Sequence, residues 1–307
     1  MEPGIEKRPF FRKIFLSADE PRLRAGWRLL VQTLLLLVLS ACLAIPLGIS
    51  ILVMKLSIDS PWVMLLSQLV ELGAIGASVF LARHFLDRRS ITSLGTGLNR
   101  WTALDLGIGF GIALVMMATV FLLQLALDWI TFEGFAWQSD SIVDVLVNVV
   151  LFFVIFVLVG WNEELLSRGY HLQTLASGLN LAWGVMLSSA IFGILHIFNP
   201  GANWVSSLGI FFAGLFLALG YLRTRQLWLP IGLHLGWNFC EGVLFGFPVS
   251  GLDIYPLIRI TVTGPELWTG GRFGPEAGLI MLPALALGSL LIFVYTLSRQ
   301  NQASDQS

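Results

Sequence analysis

The sequence predicts an all-α polytopic membrane bundle of about eight transmembrane helices. Of its 307 residues, 56% are hydrophobic and only 12% charged, and the mean hydropathy is +0.81, far from the globular average. Apolar runs recur at the length, roughly 20 residues, that a helix needs to cross about 30 Å of hydrocarbon. The longest polar stretches, 1–26 and 248–278, offer no evident soluble domain.

The first run, 27–54, follows a basic segment and shows no small-residue cleavage site, so it reads as an uncleaved anchor. Runs at 61–82, 106–127 and 142–160 come next. The pair 181–198 and 204–221 is shorter and split by Asn199-Pro200-Gly201, a breaker signal. The seventh, 227–247, opens on Leu227-Trp228-Leu229-Pro230, with proline in a first helical turn, and 279–297 completes the set. This divides the chain into a basic cytoplasmic segment (1–26), a membrane domain (27–298) with its core at 142–247, and a cytoplasmic tail (299–307).

An even number of spans places both termini on one side. With the N-terminus inside, 15 of the 18 Lys and Arg are cytoplasmic, Arg28, Arg83, Arg168 and Arg299 among them, leaving Lys55, Arg259 and Arg272 outside. That asymmetry follows the positive-inside rule and predicts a multi-pass plasma-membrane protein with cytoplasmic termini. The segment Pro9 to Leu16 mixes aromatics and cations and reads equally as an interfacial stretch or a solvated tail; its basic neighbours could hold anionic lipid. Cys42 and Cys240 sit in apolar spans and resemble small core residues more than a disulfide.

Against this background Glu163, Glu164, Arg168, His196, His234 and Asn238 stand out, because ionisable groups within apolar spans are costly and mark functional sites. Glu164 and Arg168 are four apart on one helix face and form a clamp; Glu163, about 100° round the helix, is free to act as a general base or acid. A turn near Ser177 to Asn180 puts Glu163 about 15 residues before it and His196 about 16 after, so an antiparallel pair brings them level. His234 and Asn238, expected one and a half to two turns inside the cytoplasmic boundary, share a face and offer two donors to an oxyanion.

Glu163-Glu164-x-x-x-Arg168, Phe192-x-x-x-His196 and His234-x-x-x-Asn238, in that order on successive helices, resemble the CPBP family, intramembrane proteases related to the type II CAAX prenyl endopeptidase and to bacteriocin-processing and immunity proteins. The stretch Gly270-Gly271-Arg272-Phe273-Gly274-Pro275-Glu276 also resembles one common in bacterial members. The resemblance implies that Glu163 and His196 activate a water, that His234 and Asn238 stabilise the tetrahedral oxyanion, and that Glu164, Arg168 and Phe192 support them. Glu163, His196 and His234 could equally form a two-His, one-carboxylate zinc set, so both a glutamate-type and a metallo-type mechanism stay open. The expected partners are a peptide or membrane-protein substrate, cleaved near the cytoplasmic face, and the lipid bilayer, with no nucleic acid.

The alternatives are a catalytically silent scaffold or immunity protein and, more remotely, a transporter. No second copy of the Glu-Glu-x-x-x-Arg segment suggests the internal repeats of transporters. Lesser candidates read blandly. Glu71 is as consistent with structural pairing as with a cavity role, Gly107-x-Gly109-x-Gly111 suits close helix packing, His84 and His171 read as solvated, and Glu241 reads as surface-placed.

Overall fold

The computed structural model describes residues 14–17 and 20–304. Residues 1–13, which carry most of the expected basic arm and interfacial segment, and the last three residues of the tail lie outside the described residues. The architecture is the expected all-α membrane bundle. Its main helices are α1 (Ala25–Met54), α2 (Pro61–Leu81), α3 (Thr102–Ala126), α4 (Ile142–Glu164), α5 (Leu181–Leu195), α6 (Trp204–Thr224) and α7 (Trp228–Asn238). A short α8 (Glu266–Thr269) precedes α9 (Met281–Ser304), which carries the last span on into the expected tail.

Among the described residues, seven helices are long and apolar enough to cross a membrane. The seventh expected span, 227–247, corresponds to α7 and falls short for a physical reason. It has 11 residues of α-helix followed by six of π-helix at Phe239–Leu244, and most of its side chains are buried among other helices rather than facing lipid. Glycines let it sit there. A Cβ at Gly109 of α3 would lie 2.6 Å from the Leu229 carbonyl, and one at Gly232 of α7 would lie 2.3 Å from the Leu106 carbonyl. Backbones this close gain van der Waals contact that larger residues would forbid. The packing reading of the glycine run therefore holds at Gly109, while Gly107 and Gly111 face open space.

Helix α4 continues without a break through a π segment, Leu165–Leu172, and an α-helical end, Gln173–Gly178. Asn180 caps α5 by accepting from the Trp183 amide at 3.0 Å, so the hairpin turn forms where the sequence places it. At the second breaker, Gly201 adopts φ +71°, and Asn203 caps α6 by accepting from Val205 and Ser206.

Two of the loops contain strands that hydropathy does not predict. Strands β1 (Ile130–Phe135) and β2 (Ile258–Val262) pair antiparallel, Ile130 opposite Val262, with an irregularity between Phe132 and Gly134. Their β-branched and aromatic residues suit a strand but span too few positions to register as an element.

Several cations assigned to the cytoplasmic side are buried at one end of the bundle. Arg28 and Arg83 both bond Asp87, with Arg22 3.8 Å from it, and Arg299 bonds Asp105 of α3 at 2.8 Å. Arg168 is also enclosed, inside the bundle instead of in a solvated loop.

Candidate active site

The 37-residue helix Ile142–Gly178 carries three of the expected polar residues through the middle of the bundle. Glu163 stands 15 residues before Gly178, about 22 Å along the axis. That depth lies near the middle of α1 and α2, whose Ser40 and Glu71 line the same cavity. It is deeper than counting along α7 suggests, because α7 starts inside the protein. Leu227 is fully buried, and its amide donates to the Gly95 carbonyl at 2.8 Å.

The π segment begins immediately after Glu164, and such segments mark functional positions in helices. The Glu164–Arg168 pair survives it: Arg168 Nη1 donates to Glu164 Oε1 at 2.8 Å, and its Nη2 donates to the Gly214 carbonyl of α6 at 2.9 Å. The guanidinium carbon lies 4.5 Å from the centre of the Phe192 ring, a cation–π contact. Glu164 does more than clamp its own helix. It also accepts from His234 Nδ1 at 2.9 Å, tying α4 to α7.

His196, just past the end of α5, turns its Nδ1 to the Phe192 carbonyl at 2.8 Å. A carbonyl and a carboxylate only accept, so each Nδ1 carries the proton. When neutral, both rings therefore present a lone pair at Nε2. Both Nε2 atoms face Glu163 Oε2, at 3.7 Å for His196 and 3.8 Å for His234. That oxygen is shielded from solvent and has no hydrogen-bond partner. Two lone pairs and a carboxylate oxygen, each just beyond hydrogen-bond reach, leave room for a proton-bearing molecule between them.

Glu163, His196, His234 and Asn238 all line one cavity of about 500 Å³, closed on other sides by α1, α2, α6 and the loop after α7. The chemistry of the three donors suits zinc. Among the described residues no group of three or more His, Cys, Asp or Glu side chains is already gathered as a metal site, and Glu163, His196 and His234 are the residues that would hold one.

Glu71 also lines the cavity. Glu241 is fully buried, not at the surface, because the π segment after Asn238 turns it inward beneath the loop, close to Gly274. His171 is likewise buried, by the π segment of α4. His84 is exposed, as expected.

Two cavity residues went unnoticed in the sequence, Ser250 and Glu276. Ser250 Oγ donates to Glu276 Oε2 at 2.5 Å. Burial raises the Glu276 carboxyl above the usual range, opposed by the Ser250 hydrogen bond and by His196 and His234. The one signal was an acid within the Gly-rich stretch Gly270 to Glu276, which carried no assigned role.

Residues 145–240 match the family described as Type II CAAX prenyl endopeptidase Rce1-like. That range contains all six polar residues that first drew attention. This segment is similar to the Rce1-like family. A relative from Bacillus subtilis (strain 168), described as "Putative membrane peptidase YdiL", is 32% identical over 102 residues, 33% of this chain and 40% of the relative. The chain thus spans about two fifths of the length of that curated relative. No solved structure matches significantly. The Rce1-like segment supplies α4 to α7, while the walls contributed by α1, α2 and the loop after α7 lie outside the matched range.

Proposed function

We propose that the protein is an intramembrane endopeptidase that hydrolyses a peptide bond in a membrane-anchored peptide or protein tail. The observation that carries this is the convergence of Glu163, His196, His234 and Asn238 on one cavity, with both imidazole Nε2 atoms within 3.8 Å of the Glu163 carboxylate. The Rce1-like match and the peptidase name of the Bacillus relative support the same class.

In this reading a water sits between Glu163 and His196. Glu163 takes its proton as the oxygen attacks the peptide carbonyl. The oxyanion is met by the Asn238 amide and by Nε2–H of His234, which can donate there when the ring is charged, its Nδ1–H being held by Glu164. The carbon–nitrogen bond then breaks, its electron pair goes to nitrogen, and the proton held by Glu163 passes to the leaving amine. Arg168 keeps Glu164 in place, and Phe192 fixes His196 through its carbonyl.

The concentration of cations at the Asp87 end supports cytoplasmic termini in a plasma membrane, with the cut made deep in the bundle, about 22 Å along α4 and its extension from that end. The deciding experiment is cleavage of a panel of membrane-anchored peptides by wild type and Glu163→Ala in detergent, with and without a strong chelator. The reading requires cleavage that the substitution abolishes. Survival under chelation supports a glutamate-type protease, and loss with rescue by zinc supports a metalloprotease. A folded wild type that cleaves nothing in the panel counts against hydrolysis.

A further inference from the structure

The loop after α7 brings a second buried carboxylate to the cavity, and its position is built rather than incidental. Glu276 is 5% exposed. Its backbone is pressed onto α6, since a Cβ at Gly209 would meet the Glu276 carbonyl at 1.9 Å. Ser250, held at φ +48°, fixes the carboxylate through its hydroxyl at 2.5 Å. The Ser250 carbonyl in turn accepts from Asn199 Nδ2 at 3.1 Å, next to the α5–α6 turn. Three chain segments thus aim one acid at the space that His196 and His234 share.

The charge changes of peptide hydrolysis indicate what such an acid can do. The carbonyl oxygen becomes negative and needs donors, which Asn238 and His234 supply. The nitrogen leaves as an amine and becomes an ammonium, which needs an acceptor of negative charge. An ionised carboxylate is an acceptor only. It is therefore wrong for the oxyanion side and right for the amine side. Glu163 is occupied with the water, and Glu71 is exposed on α2 and bonded only by Gln68 of its own helix, whereas Glu276 is held by separate chain segments. The titratable groups around Glu276 are Glu163 on α4, His196 beyond α5, and His234 and Glu241 on α7 and its π extension.

We propose that Glu276 binds the amine side of the scissile bond and holds the newly formed ammonium end of the product. This rests on the hydrolytic reading of the same cavity but is tested by binding. The probes are short amphiphilic peptides with a free α-amino group and their N-acetylated counterparts. Their affinities are measured for detergent-purified wild type, Glu276→Gln and Glu163→Gln.

Wild type should bind the free-amine form about tenfold more tightly than the acetylated one, as expected for a partly desolvated ion pair. Glu276→Gln should erase the preference and leave acetylated-peptide affinity unchanged, which also shows that the variant is folded. Glu163→Gln should keep the preference. Equal binding of both peptides by wild type, or a preference that survives in Glu276→Gln, overturns the proposal. Cleavage by wild type without amine preference sinks Glu276's role and leaves hydrolysis standing. A Glu276-dependent preference in a protein that cleaves nothing does the reverse.

Discussion

Asp87 and Glu163 are both carboxylates set among apolar helices, and their surroundings are opposite. Asp87 is enclosed and bonded by Arg28 and Arg83, with Arg22 nearby. Asp105, at the same end of the bundle, is closed in the same way by Tyr295 and Arg299. Glu163 has no such closure, because its nearest polar neighbours stop at 3.7 and 3.8 Å and one oxygen is left without a partner. Burying a polar group without a partner is costly, so folding alone gives no reason to keep Glu163 open. The closed acids hold helices together, and the open one keeps an oxygen free, as the proposed mechanism requires.

The sharpest way to break that comparison is to remove one acid from each region. Asp87→Ala strands two buried guanidinium groups and should cost about 3–5 kcal/mol, seen as a collapse of thermal stability in detergent. Glu163→Gln keeps volume and breaks no hydrogen bond. Its stability should stay within about 0.5 kcal/mol of wild type, while peptide cleavage falls at least about 100-fold. Equal destabilisation by both would erase the distinction between the two regions.

Glu164 belongs to both kinds of region, since it closes Arg168 and also holds the His234 ring. Glu164→Gln weakens two charge-assisted bonds and should cost about 1.5–3 kcal/mol. Unlike Asp87→Ala, it should also lower cleavage in molecules that remain folded. Activity assayed at a temperature where the variant is fully folded separates the two effects.

How much of this was legible follows from range. Glu163 and His196 could be paired by counting, because one hairpin with a capped turn at Asn180 fixes their relative height. The helix order was legible from hydropathy for the same local reason. Glu276 was not, because its placement depends on a glycine-rich loop folding back across α6, and no periodicity records that. The inward turn of Glu241 depends on a π segment, which changes the face of every residue after it. Among the small residues, Gly107, Gly109 and Gly111 look alike in sequence, yet only Gly109 meets another backbone. Gly109→Val should therefore cost about 1–3 kcal/mol by overpacking. Gly107→Val should cost far less, and thermal unfolding of the pair tests the distinction.

The smallest effect tests whether closure matters outside the bundle core. Asp140, beside the β1–β2 sheet, is held down to about 2 by hydrogen bonds from Tyr255, Ser139 and Arg259. An unfolded aspartate titrates near 3.9, so the folded value is depressed. The stabilisation is then complete above about pH 5 and is lost as pH falls through about 4 towards 2. Amide exchange of Ile258–Val262, corrected for intrinsic rate, should speed up modestly across that window in wild type. In Asp140→Asn it should be faster at neutral pH and flat with pH. Because this acid is only half-buried, its closure is screened and weak, whereas the same bonding around Asp87 holds two helices in register. A flat wild-type profile would mean that the Asp140 contacts do not stabilise the sheet, and that closure contributes only where the protein excludes water.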